Sequence, residues 1–288
     1  MTLGRRARAF RRRLGLGLPT VLGLARRGFF IPYRHAGAVT ATNRAEPYPA
    51  VAARFAAETS AMAALLDRLG EFAGRFAALA AGAADSAARF DQDWFPRLDA
   101  AMAYGLLRWR RPQRIVEVGS GHSTRFLAAA IADGGLDCRL TAIDPAPRAD
   151  LARLPIHQLR ALVPGCGPAP FAALGAGDLL SIDSSHVLMP GTDVDFLLTT
   201  VLPRLEPGTL VHIHDMFLPD DYPAAWSWRG YNEQSGVAAL LAGGGWTPLF
   251  SSRWAVTRMG VEVAQSAAGR LPLRPGALES SLWLERRR

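Results

Sequence analysis

Histidines and acids lie side by side at two places in this sequence, and such groups can move protons. His186 lies three residues after Asp183, and His214 directly precedes Asp215. Imidazole and carboxylate are among the side chains that most often remove or orient a proton in catalysis. We therefore predict catalytic roles for His186, His214 and Asp215, either as a base or as a pair that orients one.

A glycine-rich turn lies between a predicted strand and a predicted helix. The apolar strand covers residues 114–118, and Gly119-Ser120-Gly121 follows it directly. Glycine lets the backbone turn tightly and approach a ligand closely, and the start of the next helix favours polar or anionic groups. This layout predicts a loop that holds a nucleotide-type cofactor.

Two acids near this turn indicate which cofactor it would hold. Glu117 lies two residues before Gly119, where a carboxylate would repel a pyrophosphate but attract an ammonium or a sulfonium. Thr124 stands where a dinucleotide-binding fingerprint has its third glycine. Asp144 ends the next predicted strand and suits a ribose diol. The pattern favours a cationic cofactor over NAD.

These motifs resemble those of the class I S-adenosylmethionine-dependent methyltransferases, whose first motif has the form acid-x-Gly-x-Gly. The resemblance covers about residues 90 to 288. It implies a Rossmann-like, doubly wound α/β fold with a mostly parallel seven-stranded sheet, a C-terminal antiparallel hairpin and an N-terminal helical extension. It also implies S-adenosyl-L-methionine as the cofactor. The cofactor-binding residues that it implies are Glu117, Gly119, Ser120, Gly121, Ser123, Asp144 and Asp183.

A metal ion is the second cofactor to consider. Some related O-methyltransferases bind a divalent cation through carboxylates at the ends of the fourth and fifth strands. Asp183 and Asp215, with His214, stand at comparable places. The adjacent carboxylates or carboxylate-amide pair of those enzymes is absent, because His214 precedes Asp215 and Met216 follows it. We therefore predict no metal ligand, with a divalent cation as the alternative.

Predicted strands and helices alternate along the chain, which favours a mostly parallel sheet covered by helices. The predicted order is strand 114–118, helix 123–132, strand 139–144, helix 148–154, weak strand 155–162, strand 178–183, helix 192–205, strand 209–214, then antiparallel strands 246–251 and 281–285. Ligands bind at the carboxyl ends of such strands, where Glu117, Asp144, Asp183 and His214 fall. His212, two residues before His214, is predicted to be a core histidine below the site.

The region before the sheet is predicted to be helical over residues 47–83 and 91–111. Its apolar positions form one helical seam that includes Met62, Leu69 and Phe76. This seam either packs on its own domain or joins two copies in a homodimer. We expect a basic arm over residues 1–45, a helical extension over 46–111 and a methyltransferase domain over 112–288.

The net charge of +8 comes from the N-terminal arm. Residues 1–45 contain ten arginines and no acid, whereas the rest of the chain sums to −2. We therefore expect no nucleic-acid partner for the catalytic domain. The arm either packs locally or is disordered, contacts an anionic membrane surface, or acts in export. Two cysteines, Cys138 and Cys166, fit a reducing compartment, so we expect a cytoplasmic protein, with the inner membrane face as the alternative.

An aromatic loop, residues 216–234, follows the second histidine site. It is predicted to be an acceptor wall, a lid or a core-completing flap, with Asn232 capping the helix behind it. Its candidate site-facing residues are Trp226, Trp228, Arg229 and Glu233. We expect transfer of a methyl group to a small-molecule acceptor, at oxygen. The alternatives are an NAD-dependent oxidoreductase and a non-catalytic, membrane-associated protein with this fold.

Overall fold

The computed structural model describes residues 7, 10–39, 46–82, 87–147 and 149–287, which divide between two compact units. The smaller unit combines the described part of Met1–Pro47 with Asp221–Gly230. The larger unit combines Tyr48–Asp220 with Tyr231–Arg288. The boundaries predicted after residues 45 and 111 stay predictions.

The larger unit is built around a seven-stranded sheet with the order β3-β2-β1-β4-β5-β7-β6. Its strands are β1 (Arg114–Val118), β2 (Arg139–Ile143), β3 (His157–Leu159), β4 (Leu179–Ile182), β5 (Leu210–Ile213), β6 (Trp246–Ser251) and β7 (Leu282–Arg286). Strands β1 to β5 pair in parallel, and β7 runs antiparallel to both β5 and β6. Every residue of β4 and β5 is buried, as expected for apolar strands covered on both faces. The predicted fold class is confirmed.

Eleven α-helices lie in the described parts of the chain. They are α1 (Leu18–Val21), α2 (Pro49–Ala57), α3 (Thr59–Arg68), α4 (Ala73–Ala80), α5 (Arg97–Arg110), α6 (His122–Gly134), α7 (Val163–Cys166), α8 (Asp193–Phe196), α9 (Glu233–Ala242), α10 (Ser252–Arg258) and α11 (Gly260–Gln265). Short 3-10 or π turns extend several of them; α8, for example, continues through Leu197–Val201 and Leu202–Arg204. None of the described helices is long and apolar enough to cross a lipid bilayer.

The helix predicted over residues 148–154 is wrong for the part that is described. Residues 149–154 form bends and turns instead. Pro147 and Pro155 bracket this segment, and a residue that precedes proline is driven away from helical backbone angles. Pro155 therefore disfavours helical angles at Leu154, where the predicted helix would end.

The predicted apolar seam packs within its own unit. Met62, Leu69 and Phe76 are buried in the same hydrophobic core as the sheet strands. Leu65 and Phe72, which belong to the same seam, pack against that core while partly buried. The helices α2 to α4 are therefore stabilised by the sheet unit, and a homodimer stays a prediction that would use another surface.

Candidate active site

The glycine turn after β1 brings the end of β1 against the end of β4. Gly119 has a φ of 76°, which favours glycine, and a Cβ added there would lie 2.0 Å from the carbonyl oxygen of Asp183. The Asp183 amide in turn donates to the Val118 carbonyl at 2.8 Å. Only glycine permits this close approach, so the turn holds the two strand ends in one place.

Glu117 lies fully buried directly below the turn. The hydroxyls of Ser123 and Thr124 each donate to its carboxylate at 2.6 Å. Burial raises the pKa of Glu117 to about 7, and the charges of Asp183 and Asp144 add to this effect while the two hydroxyls oppose it. The Ser123 hydroxyl, for which cofactor binding is predicted, donates its hydrogen bond to Glu117. Glu117 therefore carries a negative charge that depends on pH near neutrality.

Asp144 ties the turn to the end of β2. The backbone amide and the hydroxyl of Ser120 donate to one of its oxygens at 2.8 and 3.0 Å. The amide of Ala146 donates to the other oxygen at 2.8 Å. Because the side chain is only partly buried, this carboxylate is held at the end of the strand by its neighbours and still borders solvent.

His186 lies among three carboxylates. Its Nδ1 is 2.9 Å from Glu233, and its Nε2 is 3.3 Å from Asp183 and 3.5 Å from Asp215. Burial by itself would lower the pKa of His186, but the hydrogen bonds and charges of Asp183 and Glu233 outweigh it and raise the pKa well above its usual value. The ring is 4% exposed and both of its nitrogens are occupied.

His214 occupies the matching place at the end of β5. Its Nε2 is 3.2 Å from the fully buried Asp99, and its Nδ1 is 3.7 Å from Asp183 and 3.6 Å from Asp215. Burial opposes its protonation, but Asp183, Asp99 and Asp215 outweigh that effect and raise the pKa of His214 well above its usual value. The two histidines therefore share the carboxylates of Asp183 and Asp215. The predicted catalytic trio His186, His214 and Asp215 lies together.

The comparisons with known proteins agree with this geometry. Residues 116–216 match the family model described as a methyltransferase domain. That stretch includes the glycine turn, Asp144 and both histidine sites. This part of the chain is therefore similar to a methyltransferase domain. No curated protein matches the chain.

Solved structures similar to this chain share little sequence identity with it. The O-methyltransferase TomG from Streptomyces achromogenes, in complex with SAM, is 19% identical, with 76% of this chain and 90% of that chain covered and a TM-score of 0.40. The SAH-bound methyltransferase PaMTH1 from Podospora anserina is 14% identical, with 91% and 100% covered and a TM-score of 0.44. An O-methyltransferase from Bacillus cereus, in complex with SAH, is 13% identical, with 76% and 90% covered and a TM-score of 0.41.

Asp99 belongs to this candidate site and was not predicted from the sequence. It lies in α5, and it accepts hydrogen bonds from the backbone amides of Ser280 at 3.1 Å and Ser281 at 3.0 Å. The ring Nε2 of His214 is its third partner. Burial opposes its ionisation, but His214 and the other donors outweigh it and hold the pKa of Asp99 below its usual value. An acid between Leu98 and Ala100, within an otherwise apolar helix face, was the signal that could have found it.

Glu233 holds His186 from the start of α9. The carbonyl of His186 also accepts the amides of Asn232 and Glu233, at 3.1 and 3.3 Å. The prediction that the Asn232 side chain caps this helix is wrong, because that side chain binds the backbone of Leu188, accepting from its amide at 2.7 Å and donating to its carbonyl at 3.2 Å. The backbone carbonyl of His186 fulfils the capping role.

His212 is a core histidine, as the strand alternation predicted. Its ring nitrogens lie 2.9 Å from the hydroxyls of Ser181 and Ser281, and its ring stacks on Trp283 with 4.5 Å between centroids. Burial, together with the charge of His214, lowers the pKa of His212 to about 3. It is a neutral ring that supports His214 from below.

Proposed function

We propose that this protein transfers a methyl group from S-adenosylmethionine to an oxygen atom of a small-molecule acceptor. The observation that carries the proposal is the cluster of Asp183, His186, His214 and Asp215 beside the glycine turn. Gly119 places the cofactor loop against the backbone of Asp183, so the cofactor site and the proton-handling groups adjoin. Such proximity is what a displacement between two bound reactants requires.

The residues around the turn fit S-adenosylmethionine. Buried Glu117 and part-exposed Asp144 supply negative charge at the ends of β1 and β2, which suits an ammonium, a sulfonium and a ribose diol. The dinucleotide alternative would place a pyrophosphate beside these acids. When bound, S-adenosylmethionine supplies the electrophilic methyl carbon.

Asp183 is the group that we assign to the acceptor's hydroxyl. Its side chain is 42% exposed, whereas the rings of His186 and His214 are 4% and 5% exposed and have partners on both nitrogens. The two histidines therefore orient the carboxylate and place positive charge beside it. This is the orienting role predicted for them from the sequence. Partial burial opposes the ionisation of Asp183, but the hydrogen bonds and charges of His186 and His214 outweigh it and hold the pKa of Asp183 well below its usual value. Its carboxylate therefore accepts a hydrogen bond from the acceptor's hydroxyl and orients the oxygen for attack.

Ligand-dependent unfolding separates this proposal from its alternatives. A ligand present at 100 times its dissociation constant stabilises the native state by about 2.7 kcal/mol. We expect S-adenosylmethionine and S-adenosylhomocysteine to raise the melting temperature, and NAD(H) to leave it unchanged. A melting temperature that rises with NAD(H) alone would overturn the proposal. A melting temperature that changes with none of the three ligands would favour a non-catalytic role.

Product analysis with matched phenols and amines tests the acceptor atom. Exclusive N-methylation would exclude oxygen as that atom.

Cofactor affinity is expected to rise with pH through the titration of Glu117. Its pKa of about 7 means that the carboxylate is mostly protonated at pH 6 and mostly charged at pH 8. A cationic ligand prefers the charged form, so S-adenosylmethionine should bind up to about tenfold more tightly at pH 8 than at pH 6. Titration calorimetry across this range measures the effect.

Glu117→Gln is the control for that titration, because it keeps the shape and removes the ionisation. We expect weak binding with a flat pH profile. The raised pKa of Glu117 also predicts that the free energy of unfolding falls as pH rises from about 4.5 to about 7. Over this range the folded state still holds the proton that the unfolded chain has already released. If the slope of unfolding free energy against pH is the same in Glu117→Gln, Glu117 is excluded as the titrating group.

A divalent cation is the remaining question at this site. Among the described residues, Asp183, His186 and Asp215 each offer one ligand atom, and these atoms lie within 4.8 Å of one another. Carboxylates and imidazole suit several divalent metals, so these three would hold an ion that orients an acceptor oxygen and lowers its pKa. This donor set contains His186 where the sequence analysis considered His214.

We expect methyl transfer to survive treatment with EDTA. The oxygens that would bind a metal already face His186 and His214, and these rings neutralise the carboxylates without an ion. The measurement is turnover after dialysis against chelator, with and without added Mg²⁺ or Mn²⁺. Loss of turnover with rescue by either ion would contradict the expectation and assign the metal to Asp183, His186 and Asp215.

A further inference from the structure

Exposed apolar side chains concentrate in one short segment of the smaller unit. Among the described residues, twelve of the sixteen large apolar side chains that are exposed lie between residues 10 and 39. The most exposed of these twelve are Leu24 (76%), Phe30 (63%), Phe10 (62%), Ile31 (62%) and Leu22 (59%). Scattered apolar residues on a surface are ordinary, but a group of this size marks a binding surface.

The same segment carries only positive charge. Exposed arginines Arg11, Arg12 and Arg13 precede the apolar run, and exposed Arg26 and Arg27 follow it. No acid occurs anywhere in residues 1–45. The surface is therefore both basic and apolar, and two copies of it would repel each other.

Part of the segment is helical, and four of its apolar residues lie on one side. The π turn Arg13–Gly17 leads directly into α1. Phe10, Leu14, Leu18 and Val21 follow one another at spacings of four, four and three, which is typical of one helix face. Arg12 and Arg13 fall outside that series. The helix can therefore place its apolar side chains inside the apolar layer of a partner while its guanidinium groups stay at the polar surface of that partner.

We propose that residues 10–33 bind the surface of an anionic lipid bilayer. The apolar side chains enter the boundary between head groups and acyl chains, and the arginines pair with lipid phosphates. The long arginine side chains can lie along the apolar layer and keep their charge among the head groups. A nucleic acid would satisfy the arginines, but it offers no apolar layer for Leu14, Leu18 and Leu24. This inference does not depend on the methyl-transfer proposal.

Co-sedimentation of the full chain with vesicles tests the proposal. One set of vesicles is pure phosphatidylcholine, and the other contains about one third phosphatidylglycerol as the anionic lipid. We expect at least about tenfold stronger binding to the anionic vesicles, and weaker binding in about 1 M salt, where the Debye length falls to about 3 Å. Equal binding to both sets, or binding to neither, would overturn the proposal.

Two sets of variants separate charge from apolar contact. R11Q/R12Q/R13Q removes three charges, and L14S/L18S/L24S removes three exposed leucines; each should reduce vesicle binding about tenfold or more. The matched controls R153Q/R160Q and L162S change exposed residues of the larger unit and should bind like the unaltered chain. The melting temperature of every variant shows that the fold is retained. If the leucine variant binds vesicles normally, or if the chain binds a single-stranded RNA oligonucleotide and no vesicles, the bilayer is excluded as the partner.

Discussion

Replacing Gly119 with alanine is expected to abolish binding of S-adenosylmethionine and to destabilise the fold. The added Cβ would lie 2.0 Å from the carbonyl oxygen of Asp183, a backbone atom that cannot move without shifting β4. The residue would also have to keep a φ of 76°. A clash of this kind in the core costs roughly 4 kcal/mol or more of unfolding free energy. Thermal unfolding and titration calorimetry with the cofactor measure both effects.

Gly135→Ala is the matched control for this variant. Gly135 also has a positive φ, of 52°, but an added Cβ meets nothing within 4 Å, and the residue ends α6 away from the turn. It should lose only about 1 kcal/mol, which is the ordinary cost of left-handed backbone for alanine, and it should bind the cofactor normally. If Gly119→Ala bound the cofactor as tightly as Gly135→Ala, the glycine turn would not be the cofactor loop.

Replacing Asp99 with alanine is expected to be the second most damaging change. Asp99 is completely buried and is the partner of the buried His214 ring, and it also accepts the amides of Ser280 and Ser281. Without the Asp99 carboxylate, the buried His214 imidazolium loses one of its counter-charges. The backbone amides of Ser280 and Ser281 lose their acceptor. Breaking a buried ion pair from one side typically costs about 3–5 kcal/mol. Denaturant unfolding measures the loss.

A double-mutant cycle with His214 shows whether the pair is the cause. Asp99→Ala combined with His214→Asn removes the orphaned charge, so the double variant should lose less free energy of unfolding than the two single variants together. Asp91→Asn is the control, because that acid lies just before α5 in an exposed pair with Arg274 and should leave stability unchanged. Strict additivity in the cycle would show that Asp99 and His214 do not act as a pair.

The local parts of the fold followed from the sequence. The strand predicted over residues 114–118 coincides with β1, and the strands predicted at 139–144, 178–183 and 209–214 each differ from β2, β4 and β5 by no more than one residue at either end. Apolar runs of four or five residues bounded by turn residues carry that information within a few neighbours. The two histidine sites were predictable for the same reason, since parallel strands bring their carboxyl ends to one edge of the sheet.

The sequence by itself determined the class of fold, the glycine turn and the acids at the strand ends. The tertiary structure alone decided which atoms meet. Asp99 reaches His214 across 115 positions of sequence, and Glu233 reaches His186 across 47. A local pattern can single out Asp99 as an acid on an apolar helix face, but nothing local identifies its partner, because the two meet only when a distant helix packs against the sheet. The hydrogen bonds and charges of these contacts outweigh the cost of burial only when both partners are in place, and no short stretch of sequence contains both.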